Sequence, residues 1–282
     1  MQYVGGVIID AYNKFKNLKE YIKNLGSVAI AFSGGVDSTF LAKVCKDVLN
    51  NDALAITVVS PIFPKIESEE AVKLAETIGI RHVTLKYEIL SVKGFIQNPV
   101  DRCYICKSNL FHMIKSFAEE KNLKYVIDGT NADDTKDYRP GRMALKELGI
   151  LSPLLEMGIT KDEVRKLSKD LGLSTWDKPS YACLASRIPY GEEINIKKLE
   201  TIEQAEDFLF NMGFDGLRVR YHKNIARIEL KEEQMAKVFN FEIRNQIVKK
   251  FKELGFKYVT LDLEGYRMGS LNEPHMGLIK DE

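Results

Sequence analysis

Six residues constrain this chain most: Ser33, Gly34, Gly35, Val36, Asp37 and Ser38, set between an apolar β-type run at 28–32 and a helical pattern at 38–49. Glycines let a backbone approach an anion closely, and a helix N-terminus presents unpaired N–H groups at the positive end of its dipole. Ser33 and Ser38 add hydroxyl donors, and Asp37 offers a carboxylate suited to Mg2+ on phosphates. The loop is not a Walker A loop, which needs a lysine near its end. A tight turn that merely wants glycine and a capping serine is the plainer use of these residues. The complete sextet between a strand and a helix favours a nucleotide.

Residues 27 to about 179 alternate short apolar runs (28–32, 53–60, 81–86, 125–130 and 151–154) with helical patterns (38–49, 67–78, 108–121 and 160–171). Strands separated by helices read as βαβ units, hence an α/β fold with a parallel sheet covered by helices on both faces. After residue 189 the rhythm changes to a helix (196–212), two β-type runs (216–221 and 226–230), a long helix (232–254) and a last strand (258–263). This is a smaller, antiparallel-looking α+β module. The expected domains are therefore 1–188 for the nucleotide and 189–282 for substrate binding or oligomerisation.

The chain has 282 residues and a net charge of +1, which gives no electrostatic case for a bulk nucleic-acid partner. No apolar run approaches the roughly 20 residues of a membrane helix, and the first residues lack a secretory layout. A cytoplasmic protein without a membrane partner is expected. Four cysteines in a chain of this length do not make a disulfide framework.

The loop resembles the PP-loop of the ATP pyrophosphatases, which split ATP into AMP and pyrophosphate. Three other stretches fit the same pocket. Asp128, Gly129, Thr130 and Asn131 end the fourth strand, at the carboxyl edge where open parallel sheets bind ligands. Lys178 resembles the superfamily lysine that steadies the leaving pyrophosphate, and Ser60 ends the second strand, where adenine contacts fall. The expected ATP-binding set is Ser33, Gly34, Gly35, Asp37, Ser38, Ser60, Asp128 and Lys178.

Cys103 and Cys106 form a CxxC that opens a helix, and Cys183 follows Lys178 closely. These three thiols admit three readings: a 4Fe-4S cluster with one iron left without a protein ligand, a zinc site, or a redox dithiol with Cys183 acting alone. No histidine has a spacing that would complete the zinc site. Cys45 shares a helical face with Leu41 and Val48 and reads as a core thiol. Arg218 and Arg220 alternate along one strand and so share a face, which suits either a substrate phosphate or carboxylate, or plain solvent.

Taken together, the segments SGGVDSTFL, DRCYICKSNLF, DGTNADD, KDEVRKLSKDLGLSTWDKPSYACLASR and RVRYHKNIARIEL resemble the ATP-dependent sacrificial sulfur transferases of the LarE type. The resemblance spans residues 17 to 272. It implies adenylylation of a carboxylate on a pyridinium biscarboxylate mononucleotide, followed by sulfur insertion towards the nickel-pincer cofactor. In one branch of that family the cysteine at the position of Cys183 gives up its own sulfur and becomes dehydroalanine. In the other it joins a CxxC to hold a 4Fe-4S cluster that delivers sulfide from a sulfide donor. Having all three cysteines, this chain resembles the cluster branch. Arg218, Arg220, Glu206 and Glu229 match the family's substrate-phosphate and divalent-ion positions, and Ser186 and Arg187 its CLxSR segment, expected at the substrate. The resemblance also implies a homo-oligomer, a hexamer. Rivals are a three-cysteine tRNA thiolase, which wants a basic face, an amide-forming ligase, which has no use for the thiols, and a non-catalytic nucleotide-binding iron–sulfur protein.

Overall fold

Short β-branched and alanine-rich runs become strands wherever turn residues bound them, and amphipathic runs become the helices between. The computed structural model describes residues 3–136, 141–179 and 182–267. The chain divides into two compact units, residues 1–92 with 101–181 and residues 93–100 with 182–282. The first runs α1 (Tyr3–Leu25), β1 (Val28–Ala31), α2 (Val36–Leu49), β2 (Ala53–Val59), α3 (Lys65–Ile78), β3 (Arg81–Lys86), α4 (Arg102–Glu120), β4 (Tyr125–Ile127), α5 (Gly141–Glu147), α6 (Pro153–Glu156) and α7 (Lys161–Asp170).

Its sheet has the order β3-β2-β1-β4, with every neighbouring pair parallel. Parallel strands need crossovers, so helices flank the sheet and its inner strands are mostly apolar: Val28, Ala29, Ile30 and Ala53 to Ile56 are all buried, whereas edge strand β3 carries Arg81, His82, Thr84 and Lys86. The order reverses between β1 and β4. Such a switch point opens a crevice at the carboxyl ends of the strands, and here the loops after β1 and β4 border it.

Several local features differ from the sequence expectation. α1 is not anticipated; Leu18 and Ile22 bury themselves in the same core as Phe40 and Leu41, and the Phe15 and Phe40 rings lie 5.7 Å apart. The strand expected at 151–154 is a single bridge, Ile127 to Leu151, because Pro153 starts α6 immediately after it. α4 begins at Arg102 rather than 108, which puts the CxxC in its first turn. Cys45 is fully buried in the core, as its helical face implies, and burial pushes its thiol pKa well up.

The second unit contains α8 (Ile196–Asn211), β5 (Arg218–His222), β6 (Ile225–Glu229), α9 (Glu232–Met235), α10 (Phe241–Glu253) and β7 (Tyr258–Leu261). Its core joins Leu209 of α8, Val219 of β5, Ile228 of β6 and Phe251 of α10. β5 and β6 form an antiparallel hairpin, but β7 runs parallel to β6, since α10 carries the chain back across. The sheet is thus mixed rather than antiparallel. The long helix expected at 232–254 breaks at Asn240, whose side chain accepts from the Glu242 and Ile243 N–H groups and caps α10 afresh. Residues 93–100 belong to this unit through Asn98, whose buried amide donates to the carbonyls of Ile188 and Pro189. Sequence pattern alone places the division after 188, where composition shifts. Among the described residues, no helix is long and apolar enough to cross a membrane.

Candidate functional site

In the first unit the loop after β1 is held by its own hydroxyls. Ser38 Oγ lies 3.1 Å from Ser33 Oγ, donates to the Gly35 carbonyl (3.2 Å) and accepts from the Ser33 N–H (3.3 Å). Gly34 has φ +69°, and a Cβ there would stand 3.1 Å from both Cα and Cβ of Ala71 on α3. Gly34→Ala therefore costs about 1–2 kcal/mol from backbone strain alone, beside the displacement of α3. Thermal unfolding checks the first effect, and calorimetric ATP titration should show weakened binding from the second.

The loop after β4 meets this one. A Cβ on Gly129 would lie 3.0 Å from the Ser38 nitrogen and 3.3 Å from Asp37 Cβ, so only glycine lets the two loops close on each other. Asp128 does not present a free carboxylate. Its oxygens accept from Ser152 Oγ (2.6 Å) and Thr130 Oγ1 (2.5 Å), which fixes the turn that delivers Asn131. Asn131 Nδ2 then donates to Asp37 Oδ1 at 3.3 Å.

Two lysines converge on the loop. Lys178 Nζ donates to the Gly34 carbonyl (3.1 Å) and to Glu70 Oε2 (2.7 Å). Lys161 Nζ pairs with Asp37 Oδ2 at 2.5 Å. Lys161 opens α7, where Thr160 and Glu163 form a capping box, so the helix start is fixed by local sequence. Sequence reasoning placed the stretch with Gly129 and Asn131 at the nucleotide pocket without giving either residue a role, and it did not single out Lys161. Ser60 ends β2 with a buried hydroxyl that has no hydrogen-bond partner among the described residues.

In the second unit the expected substrate residues are buried and heavily bonded. Arg187 is fully buried and forks onto Glu206 (2.9 and 2.8 Å). Burial alone would lower the Arg187 pKa, but Glu206 more than offsets this and holds it above its ordinary value. Arg220 forks onto Glu229 (2.9 and 2.8 Å) and donates to the Ser186 carbonyl (2.8 Å). Glu206 and Glu229 are thus both engaged by guanidiniums, where the resemblance implied divalent-ion ligands. Arg218 stacks 4.9 Å over the Tyr266 ring and donates to the Leu217 carbonyl. Burial, then the nearby Arg187 charge, pushes the Arg218 pKa down, so an anion beside it would be welcome.

Cys103 is exposed and Cys106 half-buried, three residues apart in the first turn of α4. That spacing and exposure suit two thiolates sharing one soft metal group. Cys183 belongs to the second unit, where it caps the short 3-10 turn Leu184–Arg187. Among the described residues no three His, Cys, Asp or Glu side chains form a metal-binding group. Ser180 and Tyr181, part of the segment that carries Cys183, lie outside the described residues.

Comparison with known proteins agrees with this geometry. A family model described as NAD synthase matches residues 11–132, the span of the loop and of the strands around it. An uncharacterized protein of Synechocystis sp. is 46% identical over 260 residues, covering 92% of this chain and 97% of the relative. The pyridinium-3,5-bisthiocarboxylic acid mononucleotide synthase of Lactiplantibacillus plantarum is 38% identical over 257 residues, covering 89% of this chain and 91% of the relative. An uncharacterized protein of Methanocaldococcus jannaschii is 35% identical over 251 residues, covering 89% and 94%. With a PP-loop at the switch point of its parallel sheet and this similarity along most of its length, the chain belongs to the family of pyridinium-3,5-bisthiocarboxylic acid mononucleotide synthases.

Proposed function

We propose that this protein adenylylates a carboxylate of a pyridinium biscarboxylate mononucleotide with ATP and then replaces the activated oxygen with sulfur, for nickel-pincer cofactor synthesis. The observation that carries this is the convergence of Lys178 and Lys161 on a glycine loop at the sheet switch point. Two ammoniums beside a phosphate cradle suit the developing charge of a leaving pyrophosphate. A substrate carboxylate oxygen attacks the α-phosphorus, and the bond from that phosphorus to the β-phosphate oxygen breaks. Pyrophosphate leaves and an acyl adenylate remains. Carboxylate oxygen is a poor leaving group and AMP a good one, which is why ATP is spent.

A sulfur nucleophile then attacks the acyl carbon, a C–S bond forms, and AMP departs with the electron pair of the broken C–O bond. The loop serines shape the cradle, and Ser60 offers its unused hydroxyl to the base. Asp37, a half-exposed carboxylate at the start of α2, would hold Mg2+, which when bound neutralises phosphate charge. Arg218 is the residue best suited to the substrate phosphate: burial has lowered its pKa, and an anion restores it. Cys103, Cys106 and Cys183 supply the soft donor set that would hold a 4Fe-4S cluster, which when bound offers an iron able to carry sulfide.

The test is to follow adenine nucleotides with and without the mononucleotide. AMP and pyrophosphate that appear only with that substrate support the proposal; ADP and phosphate, or turnover indifferent to substrate, would sink it. Iron and acid-labile sulfide on oxygen-free protein decide the sulfur source. Iron lost in Cys103→Ala favours the cluster, and iron-free protein that still transfers sulfur points to Cys183 as the donor.

A further inference from the structure

Three carbonyl oxygens of the Cys183 turn are held by buried arginines. Arg187 Nη1 donates to the Ala182 carbonyl (2.5 Å), the Cys183 carbonyl (3.0 Å) and Ser186 Oγ (3.0 Å). Its Nε and Nη2 are taken by Glu206, whose Oε1 also accepts the Val219 N–H of β5 at 2.8 Å. From the other side Arg220 Nη1 takes the Ser186 carbonyl, while its Nε and Nη2 are taken by Glu229. Within the turn, the Ser186 N–H donates to the Cys183 carbonyl (2.9 Å) and the Ile188 N–H to the Ala185 carbonyl (3.2 Å). Arg187 has no exposed surface with which to meet a ligand, and Arg220 is only 5% exposed.

Burying two ion pairs is costly, because desolvation of each charge opposes its Coulomb gain. A plain surface turn needs neither pair. What the two pairs add is geometry: a planar guanidinium anchored by a carboxylate offers its remaining N–H groups in fixed directions. We propose that Arg187–Glu206 and Arg220–Glu229 form a clamp that fixes the turn bearing Cys183, so that its thiolate is held in place for the sulfur-transfer step. Arg187, Arg220, Glu206 and Glu229 are then positioning residues rather than ligand contacts. The proposal rests on the reading of Cys183 as a thiolate used in sulfur transfer. Transfer to an acyl carbon is demanding in this respect, since a misplacement of about 1 Å costs about a hundredfold in rate.

The test uses the full-length protein with Arg187→Met and Glu206→Gln combined. Both charges leave together, and the glutamine amide oxygen still accepts the Val219 N–H. Hydrogen exchange at the Ser186 and Ile188 amides should quicken by about tenfold or more as the turn opens locally. The ratio of thiocarboxylate formed to pyrophosphate released should fall by about tenfold or more. Arg187→Lys is the milder variant: one ammonium keeps the pairing with Glu206 but cannot fork onto both carbonyls. It should shift both readouts in the same direction by less, and it serves if the double variant does not fold. Unchanged exchange, or a ratio equal to that of the unaltered protein, overturns the clamp. If the unaltered protein released no substrate-dependent pyrophosphate, the proposed function would fail instead, and hydrogen exchange alone would judge whether the arginines hold the turn.

Discussion

Asp37→Ala should lower pyrophosphate release by about a hundredfold or more while leaving thermal unfolding nearly unchanged. Asp37 stands in the first turn of α2 and is bonded to two elements far away in sequence, the Asn131 amide and the Lys161 ammonium. Its carboxylate therefore ties the start of α2 to the loop after β4 and to α7, and in the proposed function it would offer Mg2+ an oxygen. Loss of that carboxylate leaves Lys161 without its partner beside an empty cradle. Because the pair is partly exposed, its own contribution to stability is small, so catalysis falls much further than the fold does. A coupled pyrophosphate assay on purified, folded variant checks this, and release at the normal rate would remove Asp37 from the site.

Cys183→Ala should abolish thiocarboxylate formation and leave substrate-dependent pyrophosphate release running. In the proposed reaction the two half-reactions use different groups, phosphate-binding residues for adenylylation and the thiolates for sulfur delivery. The bonds from Arg187 and from the Ser186 N–H run to the Cys183 carbonyl, which alanine keeps. Product mass spectrometry beside the pyrophosphate assay separates the steps. Loss of both together would mean that the thiol has a role in activation.

The nucleotide loop was legible because it is contiguous: strand, six loop residues and helix follow one another, and periodicity marks each. The start of α4 was legible only in part: periodicity put it at 108, although the CxxC reads as opening a helix, and the helix begins at Arg102. Contacts between distant residues were not. Lys161 and Asp37 lie 124 residues apart, and nothing in their local sequence links them. Arg218 and Arg220 read from alternation as one strand face open to solvent or substrate, yet both are buried, because alternation reports which residues share a face and not what covers it. The break at Asn240 was visible in principle, since Asn is a strong N-cap, but the amphipathic pattern runs on through it. Similarly, Phe15, Leu18 and Ile22 carry the helical spacing of α1, although no motif drew attention to them.

The central claim, that ATP activates a carboxylate by adenylylation, is tested most directly with a pyridinium biscarboxylate mononucleotide whose carboxylates carry isotopically heavy oxygen. Attack on the α-phosphorus followed by sulfur displacement should leave one heavy oxygen in the phosphate of AMP and none in pyrophosphate. Heavy oxygen in inorganic phosphate, or AMP free of the label after sulfur product has formed, would contradict it.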